Sequence, residues 1–72
     1  MKVGRIDYLS NKGAVVDSVE FTDADAMLKE VREENYYGTP MSIVVYSDGV
    51  KPLVPVSAFS DMDPPPCGFR VE

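Results

Sequence analysis

The chain has 72 residues, a formal net charge of −5, 44% hydrophobic and 26% charged residues, one cysteine and no histidine. That composition suits one small globular domain, burying only about 60% of its unfolded surface, and excludes disorder along the whole length. The acidic balance disfavours direct nucleic-acid binding, the single cysteine rules out an internal disulfide, and no apolar run approaches the ~20 residues of a membrane span, so the expectation is a soluble cytoplasmic protein.

Residues 3–9, VGRIDYL, are expected to form a strand, and residues 14–21, AVVDSVEF, a second with Val15, Val19 and Phe21 on one face. Asp17 interrupts that face and marks either a bulge or an exposed edge. Between them SNKG supplies a turn, so the pair reads as a β-hairpin. Residues 22–37 predict a helix. Thr22 is the expected N-cap, and Asp23 and Asp25 suit the positive end of the helix dipole. Ala24, Met27, Leu28, Val31 and Asn35 recur at the spacing of one buried face. Gly38 and Pro40 then end the helix.

Residues 41–47, MSIVVYS, predict the strongest strand. Ile43, Val44, Val45 and Tyr46 make it apolar on both faces, as suits a central strand or one whose second face meets something else. Asp48-Gly49 signals a further hairpin. Residues 50–56, VKPLVPV, are then expected as a fourth strand, short or bulged, because Pro52 and Pro55 cannot both turn their missing N–H out of one regular ladder. Residues 57–72 have no clear period. The prolines at 64–66 are stiff, and Phe59, Met62, Phe69 and Val71 are available to pack back.

The expected fold is therefore α+β, ordered β-β-α-β-β: a four-stranded, mainly antiparallel sheet with one helix packed on one face. Residues 1–56 form the domain. Residues 57–72 are a proline-containing tail, either packed back or a linker. One helix covers one side of such a sheet, leaving some combination of Tyr8, Val44, Tyr46 and Leu53 on the other.

Catalytic chemistry has little to work with. Without histidine there is no Cys-His pair and no zinc site from the lone Cys67, and no phosphate-binding glycine loop occurs. Asp23 with Asp25, and Asp61 with Asp63, make two D-x-D pairs, neither continuing into a calcium-loop pattern. They read as helix-terminal charge and a solvated loop. PLVP at 52–55 lies inside an expected strand, and PPPCGF is only a weak proline-rich ligand. No enzyme activity, cofactor or metal is expected.

The end of the helix is the candidate site. Residues 17–35 hold seven acids and two bases, so the entire net charge lies there. Glu33 and Glu34 sit where the helix dipole is negative, at a cost of about 0.3–1 kcal/mol each, and Glu30 and Glu34 are like charges one turn apart. Pairing with Lys29 or Lys51 would offset that cost, as would a basic partner. Tyr36 and Tyr37 adjoin these acids. At about 100° per residue, one is expected in the core and the other partly exposed. Glu30, Glu33, Glu34 and Tyr37 are the candidate partner-binding residues.

RIDYL, the acidic helix and EENYYGTPMSIVVYSDG together resemble small modules found in proteins of bacterial conjugative and other mobile elements, including YodL-like domains. The resemblance spans roughly residues 5–49. It implies a bacterial cytoplasmic setting and an accessory or interaction role, and assigns no site. The expected function is a protein–protein interaction or accessory module, with self-association through the uncovered sheet face or an edge strand as one form of it. The alternative is an acidic inhibitor or nucleic-acid mimic of a mobile element.

Overall fold

The computed structural model describes residues 1–66 and 68–72, so the reading of Cys67 as a reactive or inert thiol lies outside the described residues. The elements are β1 (Gly4–Leu9), β2 (Val15–Phe21), α1 (Ala24–Tyr36), β3 (Met41–Val45), α2 (Val56–Ser60) and β4 (Phe69–Val71). They form an α+β fold whose four-stranded sheet has the order β2-β1-β3-β4. β1 pairs antiparallel with both β2 and β3, and β4 joins β3 in parallel, so the sheet is mixed.

Register decides which side chains share a face. Ile6 lies opposite Val19 on β2 and Ile43 on β3, and Ile43 lies opposite Phe69 on β4. This face carries the core. Ile6, Met27, Val31, Ile43, Val45, Val54, Phe59 and Met62 form one buried cluster, with Tyr8, Leu28 and Phe69 packed against it. Burying each large apolar side chain is worth about 1.5–3 kcal/mol, a large share of the net stability of so short a chain.

The helix forms as its apolar spacing predicts, with Met27 and Val31 buried. Its N-cap is Asp23, not Thr22: Asp23 has extended backbone angles, its carbonyl accepts from the Met27 N–H at 3.1 Å, and its side chain makes no capping bond. β2 is an edge strand, and its register against β1 shifts between Tyr8 and Leu9, beside Asp17.

The expected fourth strand at residues 50–56 does not form. The turn after Asp48 closes, with Asp48 N–H donating to the Lys51 carbonyl and Leu53 N–H to the Tyr46 carbonyl. Only an isolated Ser47–Pro52 bridge follows. Pro52 and Pro55 have no N–H to continue a ladder, and Pro55 instead caps α2. The fourth strand comes from residues 69–71, carried back to β3 by the tail. The tail also supplies Phe59 and Met62 to the core, and the Phe59 and Phe69 rings lie 5.0 Å apart.

The second sheet face differs from the apolar one expected. Tyr8 belongs to the helix side, opposite Met41. A row Glu20–Arg5–Val44–Arg70 crosses the sheet here, with Ser18–Asp7–Ser42 beside it. Val44 is fully buried. Arg5 and Arg70 flank it, and both reach the Glu72 carboxylate, at 3.7 and 3.3 Å. Charged side chains thus stand on both sides of Val44 on this face.

Gly4 sits where Met27 of the helix and the backbone of β3 leave no room for a side chain. A Cβ there would come within 2.6 Å of the Val44 carbonyl oxygen and 2.7 Å of the Met27 sulfur. Methionine can shift but backbone cannot, so Gly4→Ala is expected to destabilise the domain by about 1–3 kcal/mol, read as a lowered urea midpoint. A chain ending at Val56 is expected to lose cooperative unfolding altogether, because it lacks Phe59, Met62 and β4. Circular dichroism against temperature checks this.

Candidate functional site

The inward stripe of α1 runs through Met27, Val31 and Asn35, positions one turn apart. Tyr36 and Tyr37 fall about 100° and 200° off that stripe, and both are exposed, at 80% and 70%. Neither is a core tyrosine, contrary to the expectation of one in and one out. Asn35 takes the inward place, donating from Nδ2 to the Pro64 carbonyl at 2.6 Å. The two rings meet edge to face, centroids 5.5 Å apart, a favoured aromatic geometry.

The helix ends in a Schellman arrangement. Thr39 N–H donates to the Glu34 carbonyl at 3.0 Å and Gly38 N–H to the Asn35 carbonyl at 3.1 Å. Gly38 has φ +74°, which a side chain would disfavour. No basic residue occupies the last turn.

The three glutamates have different surroundings. Glu30 accepts from the Tyr8 hydroxyl at 3.1 Å. Glu34 accepts from the Thr39 hydroxyl at 2.6 Å and so joins the cap. Glu33 is exposed. Among the described residues no base forms an ion pair with any of the three; the ion pairs are Lys2–Glu20, Arg5–Asp7, Arg5–Glu72 and Arg70–Glu72. The expected pairing with Lys29 or Lys51 is not made, and hydroxyl donors satisfy Glu30 and Glu34 instead.

Beside this helix end lies a groove of about 480 Å³. Leu9, Met41 and Ile43 contribute its apolar lining, Thr39 and Pro40 one side, and the prolines at 64–66 another. The Asn35–Pro64 hydrogen bond ties the proline run to the helix. Nothing in the local spacing announces this groove, because it needs the tail's return path. The signals that were present are the polar Asn35 at an inward helical position and the stiff proline triplet.

The second sheet face is the other concentration of polar groups. Ser18 Oγ donates to Asp7 Oδ1 at 2.6 Å and Arg5 Nε donates to the same oxygen at 3.1 Å. Ser18 and Arg5 hold the Asp7 carboxyl below its ordinary pKa, and the Tyr46 phenol and Asp7 raise that of the Arg5 guanidinium. Lys2 lowers the pKa of Glu20, which also accepts from the Tyr46 hydroxyl at 3.3 Å. Each charge here has an opposite neighbour, so the lattice reads as a structural surface. Among the described residues no three His, Cys, Asp or Glu side chains gather to hold a metal ion.

No protein family matches the chain, and neither a curated protein nor a solved structure does.

The Tyr8–Glu30 contact joins helix to sheet through a titratable group. Burial, then the Glu30 carboxylate, push the Tyr8 phenol up to about 12 from an ordinary 10.0. The folded state thus holds the proton more tightly than the unfolded state. The contribution of this contact is complete below pH 10 and is lost as pH rises through about 12. Tyr8→Phe is expected to cost about 1 kcal/mol at neutral pH and to flatten this alkaline fall in stability, measured by urea titrations across the range.

Proposed function

We propose that this chain is a protein-interaction module that works by binding, through the C-terminal end of α1. The observation that carries this reading is the exposure of both Tyr36 and Tyr37, 80% and 70%, beside Glu33. Large aromatic rings left in water at a helix end are costly to ignore, and tyrosine is enriched at interfaces. The accessory role implied by the resemblance to YodL-like modules of bacterial mobile elements agrees with it. The charge distribution favours binding one basic surface over nucleic-acid mimicry. On the second sheet face Glu20, Asp7 and Glu72 are neutralised by Lys2, Arg5 and Arg70, whereas a mimic of a charged polymer would spread unpaired acids.

Glu33→Lys with Tyr37→Ala alters exposed side chains only, and its melting temperature is expected to stay within a few degrees of wild type. Affinity capture from bacterial lysate, wild type beside the double variant, is expected to yield a protein held by wild type alone. Light scattering on both gives the mass. Equal capture by both would overturn the reading.

A further inference from the structure

β2 is an edge strand, and an open edge is a template for pairing with another chain. The ladder tells which of its backbone groups face that edge. The Leu9 N–H donates to the Pro40 carbonyl, and the Val3 carbonyl accepts from the Tyr46 N–H. Odd-numbered residues along β1 therefore turn their backbone groups toward β3, and Gly4, Ile6 and Tyr8 turn theirs toward β2. Their partners on β2 are Phe21, Val19 and Asp17. Ser18 and Glu20 lie between these partners, so their N–H and C=O groups face outward. The register skips Val16, so the regular edge runs from Asp17 to Phe21 and is centred on Val19.

Such an edge is close to self-complementary. Two β2 strands running antiparallel about a twofold axis at Val19 would set Ser18 of each copy against Glu20 of the other. Each such pair exchanges both of its hydrogen bonds, one of them donated by Ser18. Val19 would face Val19, and Asp17 would face Phe21, so no like charges would stand directly opposite. One contact obstructs this pairing. The Ser18 N–H already donates to Oδ1 of Asp17, at 2.9 Å. The neighbouring symmetric registers meet the same residue. A twofold at Ser18 needs that donor from both copies, and a twofold at Asp17 sets two carboxylates opposite each other. We propose that Asp17 guards the β2 edge: its carboxylate occupies the outward Ser18 N–H and keeps two copies of this chain from joining their sheets edge to edge. This gives a physical reason for an aspartate inside a strand, where that residue is disfavoured. The inference is independent of the helix-end reading above.

The test is the oligomeric state of the full chain by sedimentation equilibrium, with circular dichroism to show that each variant is folded. Wild type is expected to be monomeric. Asp17→Ala removes the acceptor while adding little apolar surface. It frees the Ser18 N–H in both copies and is expected to tighten self-association about ten- to a hundredfold. Asp17→Asn keeps an oxygen acceptor in the same place without the charge, and is expected to stay within about threefold of wild type. Adding Val19→Lys to Asp17→Ala sets two lysines opposite each other and is expected to restore the monomer. Amide hydrogen exchange locates the contact. In wild type the Ser18 amide is expected to exchange more slowly than the Glu20 amide, and in Asp17→Ala both are expected to slow as concentration rises. A folded, monomeric Asp17→Ala chain would overturn the inference. So would wild type paired through β2, or equal exchange of the two amides in wild type. Asp17→Asn associating as tightly as Asp17→Ala would assign the guarding to charge and overturn the role of the hydrogen bond. Association of Asp17→Ala that Val19→Lys leaves unchanged would place the contact elsewhere and overturn it as well.

Discussion

The burial of Ile43, Val44 and Val45 on both faces of β3 is the constraint from which the remaining architecture follows. On one side Ile43 and Val45 need apolar cover, and they get it from Met27 and Val31 of α1 together with Val54, Phe59 and Met62. On the other side Val44 is fully buried with no helix above it. Its cover is made from the neighbouring strands: Arg5 and Arg70 lie on either side and converge on Glu72. Long arginine stems lie well over apolar surface while their heads stay wet. Exposed ion pairs of this kind add only about 0–1 kcal/mol, so their main effect here is to shield Val44 from water. The strand therefore needs β4 twice, for Phe69 on the core face and for Arg70 on the other. That makes residues 57–72 part of the domain.

Much of this frame was legible in the sequence, and the reasons differ by element. The β1–β2 hairpin follows from alternation around a polar turn, and α1 from a stripe of Met27, Leu28 and Val31 closed by Gly38 and Pro40. Those signals are local. The fourth strand was misplaced because the Asp48-Gly49 turn is real while its strand is not. Two prolines stop the ladder after one bridge, and a three-residue segment twenty positions later takes the edge. A parallel partner that distant leaves no local pattern. The face of Tyr8, by contrast, was legible: two residues from the core residue Ile6 in a regular strand, it shares that residue's side of the sheet.

The candidate site was half legible. Its acids and tyrosines stand out as a charge imbalance and an aromatic pair, but their individual roles depend on neighbours from other elements. Glu30 meets Tyr8 of β1, and Glu34 meets Thr39 of the cap. Both are therefore partly structural, and Glu33 is the freest of the three. The exposure of both rings was not legible in the stripe: Leu28 follows the inward Met27 and still packs on the core, whereas neither Tyr36 nor Tyr37, which follow Asn35, is buried.

The two sides of the sheet thus resolve their charge in opposite ways. The second face holds Lys2 with Glu20, and Arg5 and Arg70 with Asp7 and Glu72, in ion pairs, and a charged partner arriving there would have to displace pairs already made. Around α1 the described ion pairs stop, although five acids and two bases lie between Asp23 and Glu34. Carboxylates at a helix C-terminus oppose the dipole, and a hydroxyl donor satisfies an oxygen without cancelling its charge. A cation brought to this end meets a field that the protein itself leaves uncompensated.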